Sequence, residues 1–157
     1  MLNTLVIFDL DDTLFSRLPD GHSEEQLNQI KLYPHLNKFL NRRDIKKALV
    51  TKGDEDVQRK KIASLGIKNH FDDVLICSED IEKKECFENL LQKYPQKIVW
   101  IIGDRIDSEI RWGNELGLNT IRLKKGKYKE LKVSHENQKP DYEIEDYVDL
   151  SQILSLP

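Results

Sequence analysis

The sequence predicts an α/β fold in which a parallel sheet carries helices on both faces. Three observations lead there. Short apolar runs alternate with stretches of helical period along most of the chain. Those runs are hydrophobic at consecutive positions rather than alternate ones, as strands buried on both faces are. Three of them end on polar residues, at Asp9/Asp11, Thr51-Lys52-Gly53 and Gly103-Asp104. In sheets of this kind, ligands sit beyond the carboxyl ends of the strands.

Thr4 to Asp9 reads as the first strand. Asp9 and Asp11 are two apart, so in an extended chain both point to one side, roughly 6.5 Å apart, while Leu10 points away. Leu14 and Phe15 return to the core. Residues 16–33 are polar and irregular, with a turn at Pro19-Asp20-Gly21. Ser23-Glu24-Glu25-Gln26 carries the pattern of a capping box, which predicts a short helix through Ile30. Pro34 is placed to open a helix from His35 to Arg43, with Leu36, Phe39 and Leu40 on one face.

Ile45 to Val50 is the second strand. A helix follows from Asp54 to Leu65, with Val57, Ile62 and Leu65 inward and Gly66 as its stop. Val74 to Cys77 is the third strand. Lys83-Lys84 lead into a helix with Phe87, Leu90, Leu91 and Tyr94 on its apolar stripe, ended by Pro95. Ile98 to Ile102 is the fourth strand. The next helix runs from Asp107 to Leu116 and ends at Gly117. Asn119 to Leu123 is the fifth strand, residues 124–140 are loop, Tyr142 to Ile144 a short sixth strand, and Tyr147 to Leu156 a closing helix.

At 157 residues the chain is expected to be one domain, 1–157. Hydrophobic residues make up 38% and charged residues 34%, which excludes a disordered or membrane-embedded class. A net charge of −3 does not point to nucleic acid or to a membrane surface. Cys77 and Cys86 show no metal-binding or redox spacing and read as reduced thiols. No apolar run approaches the ~20 residues of a membrane span. The N-terminus lacks the features of a signal peptide, so the expected location is cytoplasmic.

Converging strand ends would place Asp9, Asp11 and Asp104 around one point. Hard carboxylate oxygens, completed by water and a substrate phosphate, describe a magnesium site. Thr51 offers a hydroxyl, Gly53 a backbone that tolerates close approach, and Lys83 or Lys84 a cation. Those are the needs of phosphoryl transfer.

Phe8-Asp9-Leu10-Asp11-Asp12-Thr13-Leu14 resembles the DxDx(T/V)(L/V) signature of the haloacid dehalogenase (HAD) superfamily. Val50-Thr51-Lys52-Gly53 is similar to its second motif, Lys83 ahead of Phe87 to its third, and Gly103-Asp104 through Glu109 to its fourth, GDxxxxD. All four occur in order over residues 4 to 123. The resemblance implies a Rossmann-like, doubly wound HAD core that hydrolyses phosphomonoesters with Mg2+ through an aspartyl-phosphate. It makes Asp9 the nucleophile and Asp11 the general acid/base. Mg2+ would be held by Asp9, the Asp11 carbonyl and Asp104. Thr51, Lys52 and Lys83 would bind the phosphoryl group. Asp11 also favours phosphatase over dehalogenase chemistry, because a halide leaves unprotonated.

The sequence departs from the pattern at Glu109, where the family's second Asp is replaced by a longer acid, and at Arg105. Glu109, Asp107 and Lys84 are expected around the site rather than in it. Residues 16–33 are too short for a folded lid, so no separate cap domain is expected. The open site suits a phosphorylated macromolecule, or a small phosphorylated substrate enclosed by an oligomer partner. Two other readings stay open: a non-catalytic HAD-like module that binds phosphate or a partner, and a phosphatase of nucleic-acid ends, suggested by the lysines of 124–132. Asp12 reads as a turn cap, Asp54 and Asp107 as helix N-terminal charges, His22, His35, His70 and His135 as surface residues, and Trp100 and Trp112 as core.

Overall fold

Every residue of the first strand, β1 (Thr4–Phe8), is buried. In the computed structural model, which describes residues 3–96 and 98–157, it lies inside a six-stranded sheet with β2 (Lys46–Lys52), β3 (Asp73–Cys77), β4 (Ile98–Gly103), β5 (Asn119–Leu123) and β6 (Tyr142–Ile144). The order is β3-β2-β1-β4-β5-β6 and every pairing is parallel. The fold class is the predicted one. The chain passes from the β3 edge back across β1 to start β4, so the winding reverses between β1 and β4. Residues 1 and 2, part of the stretch from which the absence of a leader was read, lie outside the described residues.

The strand pleat sorts the core into two layers. Val6 and Phe8 pack with Leu49, Ile102 and Ile121 against α2 (Leu36–Leu40), α3 (Glu55–Leu65) and α6 (Leu150–Ile153). Leu5 and Ile7 pack with Val50 and Ile101 against α4 (Asp80–Lys93) and α5 (Arg111–Glu115). Phe8 meets Phe39 and Phe71 edge-on at 6.0 and 6.2 Å. The helices change face where the winding reverses, as a doubly wound sheet requires. Among the described residues no helix is long and apolar enough to cross a membrane.

The capping box is present: Ser23 Oγ accepts from Gln26 N, and Gln26 Oε1 accepts from Ser23 N, at the start of α1 (Glu24–Asn28). Gly66 caps α3 with φ 67°, as expected. Four boundaries differ. His35 has φ 73°, incompatible with a right-handed helix, so α2 starts one residue later than expected, and it stops at Leu40 rather than Arg43. The helix α4 begins at Asp80, which puts Lys83 in its first turn rather than ahead of it. The closing helix shrinks to Leu150–Ile153.

The helix predicted from Asp107 is instead a wide turn over Ile106–Ile110 followed by α5. Ser108 departs from helical geometry there, with φ −127° and ψ −106°. Its hydroxyl donates to Asp80, and Glu109 folds back onto the end of β4.

Candidate active site

Register brings the chemistry to one rim. Phe8 lies opposite Leu49 on β2 and Ile102 on β4, and Asp9 N donates to Ile102 O at 3.0 Å. The residues at or just past the carboxyl ends of these strands, Asp9 and Asp11, Thr51 and Lys52, and Asp104, therefore emerge side by side at the switch point.

Asp9, Asp104 and Glu109 form a buried carboxylate cluster with one oxygen of each within 4.8 Å of the others. Lys83 enters from the first turn of α4, 3.0 Å from Asp9 Oδ1 and 3.1 Å from Glu109 Oε2. The Thr13 hydroxyl lies between Asp9 Oδ2 at 3.2 Å and Asp104 Oδ1 at 3.3 Å, with one hydrogen to share between them. Glu109 Oε1 accepts from the backbone N–H groups of Asp104 and Arg105, both at 3.0 Å. This is where the longer Glu arm goes: it ties the loop after β4 to Lys83.

The charges respond to burial. Burial, with Glu109 and Asp9 nearby, pushes the Asp104 carboxyl up to about 11. Burial raises Asp9 to about 6, with the Lys83 ammonium opposing it. Burial also acts to raise Glu109, but Lys83 and the backbone N–H donors outweigh it and hold Glu109 down at about 2. Lys83 itself is raised, because Asp9 and Glu109 overcome the cost of burying an ammonium.

One cation among three carboxylates leaves negative charge over, and Asp104 Oδ2 is buried with no hydrogen-bond partner. An orphaned carboxylate oxygen next to other carboxylate oxygens is the donor set of a hard divalent ion, and these residues fit Mg2+. Asp9 and Asp104 have oxygens to offer it. Glu109 is already engaged by two amides and Lys83.

Asp11 stands on the other side of the cleft. Its Oδ1 lies 2.8 Å from Lys61 Nζ and its Oδ2 2.9 Å from Gln58 Nε2. Gln58 also reaches Thr51 Oγ1 at 2.7 Å. The cleft between these groups is lined by Asp9, Asp11, Thr51, Lys52, Lys83 and, at its mouth, Arg17, Asp80, Arg105 and Tyr128. Arg105 Cζ stacks 4.5 Å from the Tyr128 ring centre.

One expectation needs correction. Lys84 is not near the cleft: it pairs with Glu115 at 3.1 Å and lies over the Trp112 ring. Consecutive helical residues point about 100° apart, so with Lys83 turned inward Lys84 faces out. Asp107 pairs with Arg105 at 3.0 Å and touches none of the clustered carboxylates. The inward stripe of α3 is also shifted. Gln58 and Lys61 are buried with Ile62, whereas Val57 is only half-buried.

Asp12 is a clamp rather than a simple turn cap. With φ 59°, it accepts from Arg17 N and Nε and from Lys127 N. It thereby fastens the lysine loop over the site. Gly126 is required for this, since a β-carbon there would sit 2.1 Å from Asp12 Cγ. Sequence reasoning missed Thr13, Gln58, Lys61 and Tyr128. The spacing of Gln58, Lys61, Ile62 and Leu65, at i, i+3, i+4 and i+7, was the available signal for two of them.

Comparison with known proteins agrees with this geometry. The profile of the HAD-hydrolase-like family matches residues 83–150. The chain is 35% identical over 103 residues to a glyceraldehyde 3-phosphate phosphatase of Methanopyrus kandleri, covering 61% of this chain and 43% of that protein. It is 32% identical over 133 residues to that of Methanocaldococcus jannaschii, covering 80% and 57%. The chain thus spans about half the length of these relatives. The crystal structure of a haloacid dehalogenase-like family hydrolase from Xanthomonas campestris superposes with a TM-score of 0.72 at 16% identity, over 98% of this chain and 95% of that one. By sheet order, profile and relatives together, this chain has the HAD-type fold and resembles hydrolases of the haloacid dehalogenase (HAD) superfamily.

Proposed function

We infer that this chain is a phosphomonoester hydrolase that works through an aspartyl-phosphate on Asp9. The observation that carries the reading is the pairing of Asp9 with Lys83 beside the unpartnered oxygen of Asp104. A nucleophilic carboxylate and a cation for the phosphoryl oxygens then line one cleft, with a carboxylate oxygen for a metal buried beside Asp9. Mg2+ held by Asp9 and Asp104 would supply charge to offset the developing negative charge on the phosphoryl group.

The residues divide the work. An Asp9 oxygen bonds to phosphorus as the ester P–O bond breaks, and the electron pair of that bond goes to the ester oxygen. Asp11 gives that oxygen a proton. Water then attacks phosphorus, Asp11 takes its proton, and the Asp9–phosphorus bond breaks with its electron pair returning to Asp9. Lys83 and Thr51 hold the phosphoryl oxygens, with Lys52 at the cleft edge. Thr13 and Glu109 keep Asp9, Asp104 and Lys83 in place.

The relatives and the cleft support a small phosphorylated substrate. The first relatives are glyceraldehyde 3-phosphate phosphatases, and the cleft over the carboxylates holds about 110 Å³. That volume suits a phosphoryl group with a small leaving group. Residues 16–33 carry only the short helix α1, consistent with one domain and no cap. Release of phosphate from p-nitrophenyl phosphate and from phosphorylated trioses, with Mg2+ and with EDTA, tests the reading. Activity should need Mg2+ and vanish in Asp9→Asn. Equal inertness of both proteins across a panel of phosphate esters would favour a phosphate-binding module instead.

A further inference from the structure

We propose that Gln58 and Lys61 of α3 are positioning residues for the acid/base Asp11. They would aim its carboxyl group at the leaving oxygen. The proposal deepens the phosphatase reading and rests on it.

The geometry is specific. Lys61 Nζ lies 2.8 Å from Asp11 Oδ1 and Gln58 Nε2 lies 2.9 Å from Oδ2, so each oxygen has its own donor. Both donors come from one face of one helix, at i and i+3. That helix is fixed at its start by the Asp54 side chain on Val57 N at 3.0 Å and at its end by Gly66. All three side chains are buried, with Gln58 2% and Lys61 8% exposed. The second hydrogen of Gln58 Nε2 ties Asp11 to the second strand end, shared between Thr51 Oγ1 at 2.7 Å and Lys52 O at 3.3 Å. The loop leaves room for this: Gly53 has φ 152°, and a β-carbon there would lie 3.0 Å from Gln58 Cδ.

Stability alone does not account for the arrangement. A buried ammonium–carboxylate pair adds little net stability over well-packed apolar side chains. What the pair and the amide do add is direction. A carboxylate has about four lone-pair sites on its two oxygens. With one donor on each oxygen, the Asp11 plane is fixed and a site on each oxygen is left for the cleft. The step at stake is breaking of the ester P–O bond, in which Asp11 passes its proton to the departing oxygen while Asp9 bonds to phosphorus. A poor leaving group needs that proton; p-nitrophenolate departs without it. A misaimed Asp11 should therefore penalise alkyl esters selectively.

The test compares kcat/KM across aryl and alkyl phosphates for wild type, Lys61→Met, Gln58→Met and Asp11→Asn. This parameter covers steps up to release of the alcohol, so later hydrolysis of the phosphoenzyme does not mask the effect. General acids contribute ~10²–10⁴-fold, and partial loss of aim should cost alkyl phosphates about 10- to 100-fold more than p-nitrophenyl phosphate. Lys61→Arg should recover most of it. Lys61→Met added to Asp11→Asn should cost little beyond Asp11→Asn alone. Gln58→Met, which leaves no buried charge unpaired, decides the matter should Lys61→Met not fold. Equal losses on all leaving groups, or additive losses in the double variant, would overturn the proposal. A wild type inert on every ester removes the phosphatase reading itself, a result distinct from an active enzyme whose leaving-group dependence does not change.

Discussion

Glu109 folds beneath Gly103 so closely that a β-carbon on residue 103 would lie 2.0 Å from Glu109 Cγ and 2.4 Å from its Oε1. The glycine at the end of β4 thus makes room for the carboxylate that ties the loop to Lys83. Gly103→Ala must displace Glu109 from the amides of Asp104 and Arg105. Overpacking of this kind costs about 1–3 kcal/mol, or roughly 2–4 °C in Tm for each of those kilocalories in a chain of this size. Thermal unfolding checks it, and a Tm within a degree of wild type would count against the packing described.

Lys83→Met should be among the most destabilising single changes in the site. It strands two buried carboxylates, Asp9 and Glu109, and breaking a buried pair by removing one partner costs about 3–5 kcal/mol. Adding Glu109→Gln should restore part of the loss, because one of the stranded charges is then gone. Lys84→Ala, one residue on, should cost under about 1 kcal/mol, since it loses only a partly exposed pair. Urea unfolding of the three variants and wild type separates these outcomes.

Metal-free protein should lose stability as pH rises above about 5, where Glu109 is already ionised in both states. Asp104 is raised to about 11 and Asp9 to about 6 in the fold, against about 4 for an unfolded chain. A raised acid favours folding below its unfolded value, and that advantage fades as pH climbs toward the folded one. The share from Asp9 should be gone just above pH 6, while that from Asp104 continues to decline into the alkaline range. Mg2+ binds the ionised carboxylates, so the gain in Tm on adding it should grow from pH 5 to pH 8. Melting curves with EDTA and with Mg2+ would differ by the same amount at every pH if the cluster did not hold the ion.

Tyr147 donates its hydroxyl to Thr13 O at 2.7 Å, and both groups are buried. This bond pins the C-terminal segment to the loop whose Thr13 hydroxyl touches Asp9 and Asp104. Tyr147→Phe keeps the ring but leaves a buried carbonyl short of its donor, at a cost of about 1–3 kcal/mol. Phosphatase activity should fall as well, since the loop loses its support. Full activity in a destabilised Tyr147→Phe protein would show that the pin matters to the fold alone.

Much of this was legible in the sequence because a strand buried on both faces leaves a plain record. Leu5 through Phe8, Ala48 through Val50 and Val99 through Ile102 are apolar without interruption, and the polar residues that end them mark the rim. The capping box at Ser23 and the stop at Gly66 are local chemistry and were equally readable. What escaped depends on contacts distant in the chain. Lys61 looks like one more surface lysine until the fold brings it to Asp11, fifty residues away. Thr13 reads as part of a turn until Asp104 arrives beside it. Asp12 reads as a cap until Gly126 and Lys127 close over it. The break in the helix after Asp104 has the same origin: Glu109 has backbone partners at the end of β4, and no local pattern shows them.

On the proposed mechanism Asp9 carries the phosphoryl group during turnover. The most direct measurement is mass spectrometry of the Asp9 peptide after acid quench of the Asp11→Asn protein given p-nitrophenyl phosphate and Mg2+. That ester needs no proton to depart, and without Asp11 the phosphoenzyme should hydrolyse slowly enough to collect. One hydroxylamine-labile phosphoryl group is expected on Asp9, absent with EDTA and absent when Asp9 is Asn. Release of p-nitrophenol with Asp9 unlabelled, or undiminished release by Asp9→Asn, would contradict the mechanism.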